Sequence, residues 1–154
     1  MGAHHYHTVT TWTGNLGSGS AGYREYSRDH EITAGRKPAI PGSSDPAFRG
    51  DPARYNPEEL LVASLSTCHM LWALHLCADA GIVVTEYTDA ATGTMVETPD
   101  GGGQFTEVTL RPRMRISDPA RIGEAAKLHH RAGELCFIAR SVRFPVRHEP
   151  TVIA

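Results

Sequence analysis

The spacing of apolar positions changes along the chain, and each change marks an element. Residues 6–13 (YHTVTTWT) are rich in β-branched and aromatic types and read as a strand, followed by a glycine- and serine-rich hairpin connection over 14–22. Residues 23–32 read as a short, polar edge strand. Four prolines (Pro38, Pro41, Pro46, Pro52) and several glycines then leave 34–55 as a loop. A loop that long in a compact domain is usually functional or lies across a partner.

The clearest period follows it. Asn56 can accept hydrogen bonds from the free N–H groups of a helix start, Pro57 suits the first helical position, and Glu58 and Glu59 complement the helix dipole. Leu61, Leu65, Cys68, Trp72 and Leu76 then recur at steps of four, three, four and four, which is one helical face. The pattern predicts a helix from Pro57 to about Ala80, ended by Gly81. Leu60, Val62, Met70, Leu71 and Leu74 add apolar positions off that face, so this helix needs packing partners on more than one side.

Residues 82–97 are β-rich, 104–116 alternate through Val108, Leu110, Met114 and Ile116, and TPDGGG over 98–103 reads as the turn between them. A second helix opens at Ser117–Asp118–Pro119 and runs to about Ala132, where Gly133 interrupts it. Residues 136–142 read as another short helix and 143–153 as a closing strand. The order β-β-loop-α-β-β-α-α-β describes an α+β fold and argues against regular βαβ alternation. With no repeat and no linker, residues 1–154 read as a single domain.

Composition narrows the function classes. A formal charge of −2, with dispersed cations, gives no footprint for nucleic acid. No apolar run is expected to approach the roughly 18 residues of a membrane span. The N-terminal MGAHHYHTVT lacks the apolar centre of a secretory signal, so a soluble cytoplasmic protein is expected. Three cysteines, at 68, 77 and 136, make no paired framework, and in a reducing compartment they are reactive or buried thiols.

The order Arg49, Glu58, Cys68, Cys136 is the chemical signal. The stretch NPEELLVASLSTCHM from Asn56, a WTG at 12–14, and a second cysteine 68 residues after the first together resemble the OsmC/Ohr family of thiol peroxidases over most of the chain. The resemblance implies that Cys68 attacks the peroxide, that Cys136 resolves the product as a disulfide, and that Glu58 and Arg49 form the supporting pair. It implies a two-layer fold with antiparallel sheet around a long cysteine-bearing helix, assembled as an intertwined homodimer with active sites at the subunit interface. It also implies organic hydroperoxide as substrate, a dithiol or lipoylated protein as reductant, and no bound cofactor or metal. Arg49 lies one residue off the family's spacing, so Arg54, Arg28 and Arg24 stay open as the activating arginine. Phe137 stands where the family often has proline, which bears on substrate preference and reductant.

A physical case runs beside the resemblance. Only a thiolate attacks a peroxide efficiently, and a free cysteine with pKa near roughly 8.5 is mostly protonated at neutral pH. A guanidinium stays charged, stabilises the thiolate and can bind peroxide oxygens, while a carboxylate orients it. Ten residues at about 1.5 Å separate Glu58 from Cys68 by roughly 15 Å along one helix. The glutamate therefore acts through a bridging arginine or comes from a partner subunit. The plainer alternative is a dipole-complementing Glu58, a solvated Arg49 and buried, inert cysteines. Cys77 lies on the far side of the helix from Cys68, roughly 13 Å along the axis, and reads as a packing residue that cannot bridge to it.

Two other classes remain. Cys68, His69, His129, His130 and Cys136 offer zinc-type ligands, but in no compact zinc spacing, and neighbours on a helix diverge by about 100°. The HHYH segment at 4–7 could bind metal adventitiously. A non-catalytic ligand-binding or interaction module with buried thiols is the other, separated from an enzyme by whether a thiol pair is consumed for each peroxide.

Overall fold

A computed structural model describes residues 1–154, and the chain divides into two compact units, residues 1–60 and 61–154. In the first, β1 (Val9–Trp12), β2 (His30–Thr33) and β3 (Ile40–Gly42) form an antiparallel sheet in that order. The predicted strand over 23–32 is confined to its last residues. The chain before it is held in turns by Asn15, whose Oδ1 accepts from the Gly17 and Gly19 amides, and by Arg28, which donates to the Tyr23 and Tyr26 carbonyls. Gly14 is required where the chain crosses Ser27, because a Cβ there would collide with the Ser27 carbonyl.

The proline-rich loop is more ordered than its composition suggests. It contains β3 and a 3-10 turn at Pro46–Phe48 capped by Asp45, whose Oδ1 accepts from Ala47 N–H at 2.7 Å. Arg54 stitches it to β2, donating from Nη1 to His30 O (2.9 Å), Gly42 O (3.3 Å) and Glu31 Oε1 (3.2 Å). Its Nε lies 3.5 Å from the Asp29 carboxylate.

Helix α1 spans Pro57–Asp79. Asn56 and Glu59 cap it reciprocally: Glu59 N–H donates to Asn56 Oδ1 at 2.8 Å and Asn56 N–H to Glu59 Oε1 at 3.2 Å. Such a cap stabilises a helix by about 1 kcal/mol. Gly81 ends it in the left-handed region, at φ 72°. The fully buried positions are Leu65, His69, Ala73 and Cys77, at steps of four. Only Leu65 of the expected Leu61–Leu76 face is among them, because a polar residue, His69, finds a partner in the core. Contrary to expectation, α1 is by length and composition apolar enough to cross a membrane, because its charges sit only at the two ends; 22% of its most apolar stretch is buried.

The second unit carries two three-stranded sheets built alike. β4 (Val84–Asp89) pairs antiparallel with β7 (Pro112–Ile116), which pairs parallel with β9 (Thr151–Ile153). β5 (Thr92–Glu97) pairs antiparallel with β6 (Gly103–Leu110), which pairs parallel with β8 (Val146–His148). The single strand expected over 104–116 is therefore two, in different sheets. The division falls at Arg111, whose N–H donates to Asp89 Oδ1 at 2.6 Å, and at Pro112, which has no N–H to give a ladder. The closing strand over 143–153 likewise divides into β8 and β9.

Helix α2 covers Ile122–Leu135 after a 3-10 turn at Pro119–Arg121. It passes through Gly133 without a break, contrary to expectation. The short helix expected at 136–142 shrinks to a 3-10 turn at Ala139–Ser141. Two apolar clusters result. Cys77 packs with Ile82, Met114, Ile116 and Ala125, and Leu65 with Val108 and Leu110, so one side of α1 serves both sheets. Each fully buried Leu or Met contributes about 2–3 kcal/mol.

Candidate active site

Cys68 is half-buried on α1, while Cys136 is buried at the C-terminus of α2 with 1% of its surface exposed. The structure places Cys68 near enough to Cys136 to raise the proton affinity of its thiol. Burial pushes the Cys136 thiol up to about 11; the Ala139 N–H, 3.4 Å from its sulfur, pulls the other way, and the neighbouring Cys68 adds to the rise. The proton thus stays on Cys136, and a sulfenic acid on Cys68 would form near this second thiol. Cys77 is a core residue, its thiol pushed up by burial and then by Glu124.

Three imidazoles gather in the second unit. His69 Nε2 and His129 Nδ1 are 3.0 Å apart, both residues being almost wholly buried. Their rings lie within 13° of parallel, and His148 stacks on His69 with centroids 5.5 Å apart. Burial drives both His69 and His129 down to about 4, with the neighbouring imidazoles adding to the effect, so the pair is neutral at physiological pH. His129 Nε2 and the Tyr87 hydroxyl are buried without a hydrogen-bond partner, and burial pushes Tyr87 far up. No group of three or more His, Cys, Asp or Glu side chains is disposed to hold a metal ion. The zinc-type set is broken up because His69 and His129 spend ring nitrogens on one another.

A cavity of about 190 Å³ opens beside these rings, walled by His69, His130, Glu134, Cys136, Ala139 and His148. A second, shallower hollow of about 340 Å³ is apolar, formed by Leu71, Trp72, His75 and Phe137. Trp72, one turn after Cys68, meets Phe137, the residue after Cys136, edge to face at 5.6 Å.

Arg49 and Glu58 belong to the first unit. Arg49 ends the 3-10 turn in the left-handed region, at φ 66°, with its exposed guanidinium 5.9 Å from the Tyr23 ring centre. Glu58 Oε2 is buried with no hydrogen-bond partner. Of the other arginines, Arg54 is spent on the loop and β2, and Arg28 on backbone carbonyls and the rings of Tyr23 and Tyr26. Counting histidines in the sequence did not single out His148. Its signal was only its place in a strand whose partner could not be read.

A family model described as OsmC-like protein matches residues 50–151. Among solved structures, an OsmC-like protein of unknown function from Vibrio cholerae O1 biovar eltor is 33% identical, with a TM-score of 0.85 over 97% of this chain and 100% of that one. An organic hydroperoxide resistance protein from Elizabethkingia anophelis, with thiocyanate bound, is 19% identical with a TM-score of 0.70, covering 99% of this chain and 97% of that one. An organic hydroperoxide resistance protein from Legionella pneumophila is 17% identical with a TM-score of 0.66, over the whole of both chains. The last two are likenesses of fold. A search of curated proteins found no match.

Proposed function

The chain belongs to the OsmC-like family, and from that premise we propose that it is a thiol-dependent hydroperoxide reductase. The observation that carries this reading is the thiol pair, a buried Cys136 whose proton affinity is raised further by the neighbouring, half-buried Cys68. Cys68 thiolate attacks the peroxide's terminal oxygen; the O–O bond breaks, the alcohol leaves and Cys68 becomes a sulfenic acid. Cys136 then displaces its hydroxyl as water, forming the Cys68–Cys136 disulfide. An external dithiol, free or carried as a lipoyl group on a protein, reduces that disulfide by two exchanges. In a reducing cytoplasm such a bond is transient.

We assign Arg49 as the group that stabilises the Cys68 thiolate, and Glu58 as the carboxylate that orients it. A buried carboxylate oxygen without a partner is costly, and a guanidinium is the natural remedy for Glu58. Arg54 and Arg28 have structural employment, whereas Arg49 is exposed. A second copy of the chain is the proposed partner, since α1 leaves Leu71 62% exposed along a strongly apolar helix.

The apolar hollow at Trp72 and Phe137 is where the tail of an organic hydroperoxide would lie. Burying on the order of 100 Å² at about 25 cal/mol per Å² would favour such a substrate over hydrogen peroxide by about one to two decades in catalytic efficiency. The test is one equivalent of cumene hydroperoxide followed by peptide mapping without reduction. Loss of the peroxide with formation of a Cys68–Cys136 peptide is expected. Unconsumed peroxide, or a disulfide involving Cys77, would overturn the assignment.

A further inference from the structure

We propose that His148 is the general base that takes the Cys136 proton when this thiol closes onto an oxidised Cys68. The inference rests on the pairing of those two cysteines and adds a catalytic residue to it.

Three observations carry it. Cys136 and His148 share the wall of one cavity of about 190 Å³. The His148 ring is seated against α2 one turn before Cys136: a Cβ on Gly133 would lie 3.2 Å from His148 Cε1 and 3.3 Å from Nδ1. Glycine weakens a helix relative to alanine, and here its missing side chain is what admits the imidazole. Finally, burial and the neighbouring Cys68 hold the proton on Cys136. For that thiol to attack a sulfenic acid, its proton needs an acceptor.

The other imidazoles on the wall are committed. His69 is bound to His129 at 3.0 Å, and His130 Nε2 lies 3.3 Å from Glu134 Oε1. His148 is held below its ordinary value by burial and by His130, so it is a neutral base at physiological pH. The titratable groups around it are His69 from α1 and His130, Glu134 and Cys136 from α2; β6 presents only Leu110. The high proton affinity of Cys136 makes a base necessary, and the Ala139 N–H at 3.4 Å supports the thiolate left behind.

The step balances. His148 takes the Cys136 proton, the Cys136 thiolate attacks the Cys68 sulfur, and the S–S bond forms as the S–O bond breaks. The departing hydroxide takes the proton from imidazolium and leaves as water. Cys136 is oxidised, the Cys68 sulfenic acid is reduced, and His148 ends neutral.

The step can be observed without peroxide. In the full chain carrying Cys77→Ala, 2,2′-dithiodipyridine releases one thiopyridone on reaction with Cys68 and a second when Cys136 closes on the mixed disulfide. His148→Ala should slow the second release about a hundredfold and leave the first unchanged. Free imidazole, small enough for the enlarged cavity, should restore it, and the imidazole inflection should vanish from the pH profile of the second phase. His148→Gln, which keeps the bulk of the side chain, should show the same slow phase without rescue. A second release unchanged in both variants, or slowed with neither imidazole rescue nor an altered pH profile, would overturn the proposal. Normal phases and rescue in a protein that consumes no hydroperoxide would support the role of His148 while refuting the peroxidase reading.

Discussion

His69 Nε2 and His129 Nδ1 meet at 3.0 Å across 60 residues of sequence, deep in the second unit. Both imidazoles take up protons near pH 4 when folded against an ordinary value of 6.5. Between those limits the unfolded chain binds protons that the folded chain refuses, so stability falls as pH falls from 6.5 to 4 and levels off below. The loss should be roughly 3 kcal/mol for each imidazole. Thermal unfolding across that window should show it, and His69→Gln with His129→Gln should flatten the dependence.

Cys68→Ser should abolish peroxide turnover, whereas Cys77→Ala should retain it and lose about 1 kcal/mol of stability from the core. In Cys136→Ser, Cys68 should advance to sulfinic or sulfonic acid under mild peroxide, visible as added oxygen in the intact mass. Turnover surviving in Cys68→Ser would remove the central assignment.

The two glycines of α2 offer an internal comparison. A Cβ at Gly123 meets nothing within 4 Å, whereas one at Gly133 presses on His148. Gly123→Ala should therefore stabilise the protein by about 0.5–1 kcal/mol in urea unfolding. Gly133→Ala should gain less or lose stability. Equal gains at both sites would show that the His148 ring yields freely.

Phe137 is 66% exposed and lies edge to face on Trp72. Phe137→Ser should lower kcat/KM for cumene hydroperoxide about tenfold and leave hydrogen peroxide nearly unaffected. Parallel loss on both substrates would place the tail elsewhere.

Local chemistry was legible in the sequence where it sufficed. The Asn56 cap and Gly81 bound α1 as expected, because both act within one turn. The α+β class followed from the order of elements. The buried side of α1 was not legible, since His69 reads as polar until His129 is known to satisfy it. Gly133 reads as a helix breaker until His148 is placed beside it. The parallel pairings of β8 and β9 are long-range and leave no periodic trace. The two cysteines stood out through their motif and spacing, but the imidazoles near them are gathered by tertiary structure alone.

Those late strands also set an order of assembly. β6 and β7 lie within 103–116, yet each gains its parallel neighbour only from residues 146–153. Until that segment docks, both sheets lack a strand and the cavity beside Cys136 lacks two of its walls, Val146 and His148. The sulfur that is sealed in the finished protein is open to solvent in that interval, so the burial of Cys136 is completed by a segment that follows it in the chain rather than by its own helix.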